Sequence, residues 1–258
     1  MTPHVHCETD GPCLLITLER PEKLNALTSA MLQGIREGLQ RAQEDPAVRV
    51  VILTGGDKVF CAGADIGIEK GATPLEFRHF VEQIQDITRD IQSLDKIVIA
   101  AVSGYAMGGG AEIALACDLR VFSESASFGF PEVGLGLTIT SGASYLLPKI
   151  VGLGRAKEIA LLGRRIGAAE AESMGLANRV VPVETMLSTA KELAGQVAGL
   201  APQAVAAQKQ LLNAGVEVSL EALLRHETEA IAAAIKTGDA QEGMTAFLEK
   251  RAPKFGSN

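Results

Sequence analysis

The sequence predicts an α/β fold in which a parallel-sheet core is followed by a mostly helical C-terminal part. Three observations carry this. Short apolar, β-branched runs alternate with helix-period segments over the first half of the chain. Glycine-containing turns follow several of those runs. From about Ser141 onward the pattern becomes almost wholly helical.

Taken in order, Cys13 to Leu18 reads as the first strand, and Pro21 then breaks regular structure in a loop that carries Arg20 and Lys23. Thr28 caps a helix in which Leu32, Ile35, Leu39 and Ala42 recur at helical spacing. Val48 to Thr54 is a second strand, leaving through Gly55-Gly56-Asp57 into Phe60-Cys-Ala-Gly-Ala-Asp-Ile66, a small-residue loop whose backbone can approach a ligand closely. Thr73-Pro-Leu-Glu76 has the form of a capping box, and a long helix follows with Phe77, Phe80, Val81, Ile84, Ile87 and Ile91 on its apolar side. Val98 to Val102 is a buried strand that delivers the chain to Gly108-Gly109-Gly110 and a helix from Ala111 to Cys117. Leu119 to Phe122 is a further strand, and helices are expected over 156–162, 168–174, 184–197, 203–213, 220–235 and 240–249.

Composition narrows the function. The 258 residues are 47% hydrophobic, enough for a substantial core, and the formal net charge of -7 argues against a general binder of nucleic acid or anionic membranes. Cys7, Cys13, Cys61 and Cys117 form no CxxC pair, which fits a reduced, cytoplasmic protein. The N-terminus lacks the basic start and apolar core of a secretory signal. Ile97 to Cys117 is long and apolar, but three glycines and Glu112 make a poor membrane span. Neither glycine cluster completes a dinucleotide fingerprint, no P-loop occurs, the four histidines show no metal-ligand spacing, and no GxSxG elbow is present.

Two features carry chemistry. A strand that ends in glycines before a helix exposes unpaired N–H groups at the positive end of the helix dipole, an arrangement suited to an oxyanion. The loop Cys61 to Asp65 follows a strand and offers a second N–H; both segments also suit ordinary tight turns. Glu112 and Glu132 sit among apolar neighbours, Ile113 to Leu115 for one and Phe128, Phe130 and Val133 for the other. A carboxylate in such surroundings is costly unless paired or used, so an acid/base couple stands beside the plainer readings of a dipole-stabilised helix residue and a solvated loop residue.

Seven segments in order resemble the enoyl-CoA hydratase/isomerase (crotonase) family, most closely its hydratases: Arg20 to Leu27, Phe60 to Ile66, Ala101 to Glu112, Phe128 to Val133, Leu147 to Gly152, Gly175 to Val181 and Glu242 to Arg251. The resemblance implies a spiral of ββα units in two sheets, with an acyl-CoA core over residues 1–195. A helical C-terminal region over 196–258 would build homotrimers, often paired into hexamers. It implies hydration of a trans-2-enoyl-CoA, with no cofactor beyond the CoA of the substrate; no membrane partner is expected, and although some relatives bind RNA, the net charge of -7, two tyrosines and no tryptophan argue against a nucleic-acid partner here. The thioester oxygen would be held by the N–H groups of Ala64 and Gly109, with Glu112 and Glu132 handling water. CoA would lie along Lys23, Leu24 and Ala26 and along Ala62, Gly63, Asp65 and Ile66. Tyr105, Gly108, Pro131 and Thr140 would line the substrate, with Lys250 or Lys254 near the CoA phosphates. Other readings on the same fold are double-bond isomerisation and a non-catalytic binding protein. One stretch departs from the hydratase pattern: Leu137-Thr-Ile-Thr-Ser-Gly-Ala-Ser-Tyr-Leu146 replaces a glycine-rich run ending Gly-Thr-Gln-Arg. Thr140 and Ser141 there add hydroxyls beside the expected water and acyl sites.

Overall fold

A computed structural model describes residues 4–256 of the chain. The chain begins with β1 (Val5–Asp10) and β2 (Cys13–Leu18), so the run expected to be the first strand is the second. β1 escapes recognition because it is an edge strand whose side chains are mostly exposed and polar. After a 3-10 turn at Pro21–Lys23 come α1 (Ser29–Glu44), β3 (Val50–Thr54), the single turn α2 (Ile66–Glu69), α3 (Pro74–Ser93) and β4 (Ile97–Val102). Next are β5 (Tyr105–Met107), α4 (Gly109–Ala116), β6 (Leu119–Ser123), β7 (Ser127–Gly129) and a 3-10 turn at Glu132–Leu135. The chain closes with α5 (Ala143–Val151), α6 (Leu153–Leu161), β8 (Arg165–Gly167), α7 (Ala168–Ser173), β9 (Arg179–Val181), α8 (Val183–Ala198), α9 (Pro202–Gly215), α10 (Leu220–Ala234) and α11 (Gly238–Glu249).

Six strands form one sheet in the order β1-β2-β3-β4-β6-β9, parallel throughout except for the β1–β2 hairpin. Parallel strands covered on both faces need apolar residues at every position, and the strand VVILT of β3 is wholly buried. Its alternate residues serve two cores. Val51 and Leu53 join Leu32, Ile35, Ile87 and Ile91 of α1 and α3, while Val50 and Ile52 join Met186, Ala190 and Ala194 of α8. A second, small sheet holds β5, β7 and β8. Strands of three residues show no readable alternation, which is why β8 and β9 lie hidden in a region expected to be almost wholly helical. α5 was likewise outside the expected helices; it carries an internal proline, Pro148.

The expected helix starts hold. The Thr28 side chain accepts from the Met31 N–H, and Thr73 and Glu76 form both halves of a capping box. None of the helices among the described residues is long and apolar enough to cross a membrane; Ile97 to Cys117 is instead β4, β5 and α4. All four cysteines are free thiols, three of them buried.

One buried charge ties the C-terminal helices to the core. Lys209 of α9 is 5% exposed and donates to the Ile91 carbonyl (2.7 Å), the Lys96 carbonyl (3.0 Å) and the Asp118 carboxylate (2.9 Å). Removing one partner of a buried ion pair strands the other without solvent. Lys209→Met is therefore expected to lower unfolding free energy by about 3–5 kcal/mol, read as a fall in the urea midpoint.

Candidate active site

The site forms where β3 and β4 end. Leaving β3, the chain is stitched to the segment beyond β4: the Phe60 N–H donates to the Ser103 carbonyl (2.7 Å), Cys61 N–H to Tyr105 (2.8 Å) and Met107 N–H back to Cys61 (3.0 Å). This pairing sets the Cys61–Asp65 loop beside the start of α4. Gly110 permits the approach, because a Cβ there would stand 2.4 Å from the Cys61 carbonyl oxygen.

The consequence is a meeting of two backbone donors. A Cβ built on Gly109 would lie 4.0 Å from the Ala64 nitrogen, and one on Gly63 would lie 3.7 Å from the Gly109 nitrogen. Gly109 opens α4, so its N–H has no intrahelical acceptor. Among the described residues, neither the Ala64 N–H nor the Gly109 N–H donates to a protein acceptor.

A second loop braces this arrangement. Asn25, fully buried with φ +53°, donates through its amide to the carbonyls of Val59 (2.9 Å) and Phe60 (3.1 Å). The Arg20 guanidinium spans the Ala26 carbonyl (3.0 Å) and the Asp65 carboxylate (2.7 Å). Asp65 is held below the usual carboxylate range chiefly by that hydrogen bond from Arg20. Of the two cations in the loop, Arg20 is thus spent on structure, and Lys23 remains exposed beside the exposed Leu24. Leu24 and Leu27 tie directly to the Cys61–Asp65 loop, through Ala62 N–H to the Leu24 carbonyl and Leu27 N–H to the Gly63 carbonyl.

A cleft of about 430 Å³ opens over these donors. Ala62, Gly63, Ala64, Ile66, Gly108, Gly109, Glu112, Pro131, Glu132 and Thr140 all line it, so most of the expected site residues converge. Glu112, in the first turn of α4, is 2% exposed. Burial pushes its carboxyl above the usual range, opposed by hydrogen bonds from the Thr140 N–H, from Ser141 and from the Thr140 hydroxyl. Glu132 begins the 3-10 turn after β7 and also lines the cleft. Its Oε1 sits so close to Gly108 that a Cβ there would stand 3.0 Å away, and Gly108 has φ +51°.

Asp65, Lys23, Leu24 and Ala26 border the same region through the loop contacts above but are not in the cleft wall. Tyr105 also lies outside it: its ring stands against the Arg165 guanidinium at 5.6 Å, and only its carbonyl serves the site, through Cys61. Lys250 and Lys254 are exposed at the end of α11, away from this chain's cleft wall.

Phe77, Phe80, Val81 and Ile84, which the sequence presents only as the apolar side of α3, form the apolar wall of the cleft. Their signal was an apolar stripe extending beyond the fully buried Ile87 and Ile91, since Phe77, Phe80 and Val81 stay half-buried.

The sequence profile of the enoyl-CoA hydratase/isomerase family matches residues 8–258. A short-chain-enoyl-CoA hydratase of Clostridium acetobutylicum is 41% identical over 249 residues, covering 96% of this chain and 95% of that protein. A crotonyl-CoA hydratase of Syntrophomonas wolfei is 39% identical, covering 96% of both. Among solved structures, an enoyl-CoA hydratase from Bacillus anthracis superposes with a TM-score of 0.96 at 38% identity, over 99% of this chain and 100% of that one. With its α/β core and its full-length likeness to these hydratases, the chain belongs to the enoyl-CoA hydratase/isomerase family and has the crotonase fold.

Proposed function

We propose that this protein adds water across the double bond of a trans-2-enoyl-CoA to give a 3-hydroxyacyl-CoA. The observation that carries the reading is the convergence of two carboxylates, Glu112 and Glu132, on one cleft that also presents the two unengaged N–H groups. The names of the curated relatives support it.

In this reading the thioester oxygen sits between the Ala64 and Gly109 N–H groups. Charge builds on that oxygen as the β-carbon is attacked, so fixed donors there stabilise the transition state more than the ground state. Water stands between the carboxylates. Glu112 takes its proton while the oxygen bonds to the β-carbon, and Glu132 gives a proton to the α-carbon. This division of labour requires Glu112 ionised and Glu132 protonated when water attacks. Burial suits Glu112 to the basic role, because a carboxyl raised above its usual range holds an abstracted proton more firmly.

The CoA moiety runs along Lys23, Leu24 and Ala26 and past Asp65 and Ile66, and Lys250 or Lys254 reaches its phosphates, within the chain or across a subunit boundary. No further cofactor is needed. Free, largely buried thiols fit a cytoplasmic setting. Loss of the conjugated thioester absorbance on adding protein to crotonyl-CoA tests the activity; inertness toward short, medium and branched enoyl-CoAs would contradict it.

Assembly into trimers or hexamers is part of the proposal. α10 has no buried residue, and Leu220, Leu224, Ile231, Phe247 and Leu248 expose apolar surface along α10 and α11. Light scattering is expected to give a trimer or hexamer mass, and Ile231→Glu with Phe247→Glu to shift it toward monomer; a wild-type monomer contradicts the assembly.

A further inference from the structure

The stretch that departs from the hydratase pattern folds directly onto Glu112. The Ala143 N–H donates to the Thr140 carbonyl (2.8 Å), closing a tight turn through Ser141 (φ +48°) and Gly142 (φ +83°). Thr88 of α3 anchors it from outside, its hydroxyl donating to the Ser141 carbonyl at 2.9 Å. A non-glycine residue in the left-handed region is held there only by its surroundings. The turn aims two groups of one residue at one carboxylate: the Thr140 N–H meets Glu112 Oε1 at 2.5 Å, and the Thr140 hydroxyl stands 3.1 Å from each carboxylate oxygen. The Ser141 hydroxyl, which also acts on Glu112, stands 3.2 Å from the Thr140 hydroxyl.

We propose that the Thr140 side chain is a positioning residue: its hydroxyl fixes the orientation of the Glu112 carboxylate and serves both of that group's protonation states. The proposal rests on the hydratase reading for its kinetic consequences, but its structural content stands apart. A backbone N–H can only donate, whereas a hydroxyl donates to a carboxylate and accepts from a carboxylic acid. A base that gains a proton in each cycle therefore keeps its hydrogen bond throughout. The equal distances to both oxygens allow the hydroxyl to serve whichever oxygen carries the proton.

The surroundings leave few other charged groups to act on Glu112. α3 presents Phe77, Phe80, Val81 and Ile84 to the cleft, α5 packs Ala143 and Leu147 behind it, and β5 contributes Ala106 and Met107. Glu132 lines the same cleft, and Arg120 and Asp118 lie at the far end of α4, where Arg120 donates to the Ala114 and Leu115 carbonyls.

The decisive comparison is wild type against Thr140→Val, which keeps the N–H and the bulk but loses the hydroxyl, and Thr140→Ser, which restores it. With crotonyl-CoA, Thr140→Val is expected to lower kcat about 10- to 100-fold, the range of a hydrogen bond to a charged group, with KM near wild type. The acidic limb of its kcat profile should move to higher pH, because the lost hydroxyl bonds the charged carboxylate more strongly than the neutral acid, and Thr140→Ser should return both. In parallel, carbon-13 NMR of the ligand-free proteins follows the Glu112 carboxyl, assigned by its loss in Glu112→Gln, and should show it titrating at higher pH in Thr140→Val. Where Thr140→Val does not fold, Thr140→Ala carries the same comparison. An unchanged Glu112 titration in a folded variant lacking the hydroxyl overturns the proposal, as does unchanged kcat. Wild-type inertness toward every enoyl-CoA defeats the hydratase reading instead, and the NMR titration still decides the role of Thr140.

Discussion

Glu132→Gln is expected to reduce hydration of crotonyl-CoA by about 10²- to 10⁴-fold, the contribution of a positioned general acid, while CoA affinity is retained. The amide matches the carboxyl in size, so the close approach to Gly108 survives, but it supplies no proton to the α-carbon. Glu112→Gln is expected to be as severe, because a neutral amide cannot take the proton of the attacking water. Initial rates, calorimetric titration with CoA and a thermal melt separate the outcomes. Turnover near wild type in either variant contradicts the assigned roles, whereas loss of CoA binding together with turnover points to a collapsed site.

Gly110→Ala carries the second large effect, and it acts through the backbone. The added methyl would stand 2.4 Å from the Cys61 carbonyl oxygen, 2.7 Å from its Cβ and 2.9 Å from its Sγ. The Cys61 segment cannot retreat freely, because its N–H and carbonyl are both engaged with the strand that begins at Tyr105. Either that segment or the first turn of α4 must move, and each movement parts the Ala64 N–H from the Gly109 N–H. Loss of one oxyanion donor costs about 10²- to 10³-fold in kcat, and overpacking costs about 1–3 kcal/mol of stability. Stopped-flow rates beside a urea melt check both. A folded variant with undiminished kcat would show that the juxtaposed donors are not used.

Much of this site was legible in the sequence because its parts are local. Ile97 to Gly136 contains β4, the glycine turn, α4 and both glutamates, and each reads from neighbouring residues: an apolar run, three glycines, a carboxylate in a helix first turn. The caps at Thr28 and Thr73 read equally well, since a cap is a contact over three residues. Besides the polar edge strand β1 and α5 with its internal proline, what escaped was either short or remote. β5, β7, β8 and β9 have three residues each, too few for alternation to register. Arg20 read as a free loop cation because its partner, Asp65, is far away in sequence. Thr140 read as a hydroxyl beside the water and acyl sites, without Glu112 as its partner, since nothing near it in the chain announces that contact. The departure from the family pattern after Gly136 marked the segment that places a hydroxyl on Glu112.

The hydratase reading and its nearest rival, double-bond isomerisation, share the two backbone donors and differ in the fate of water. The most direct measurement is therefore the product formed from crotonyl-CoA in deuterated water, analysed by proton NMR and mass spectrometry. The account predicts a 3-hydroxyacyl-CoA with its hydroxyl on the β-carbon and one deuterium on the α-carbon, formed by wild type and abolished by Glu112→Gln. A product that gains deuterium without oxygen, or a shifted double bond with no hydroxyl, would contradict it.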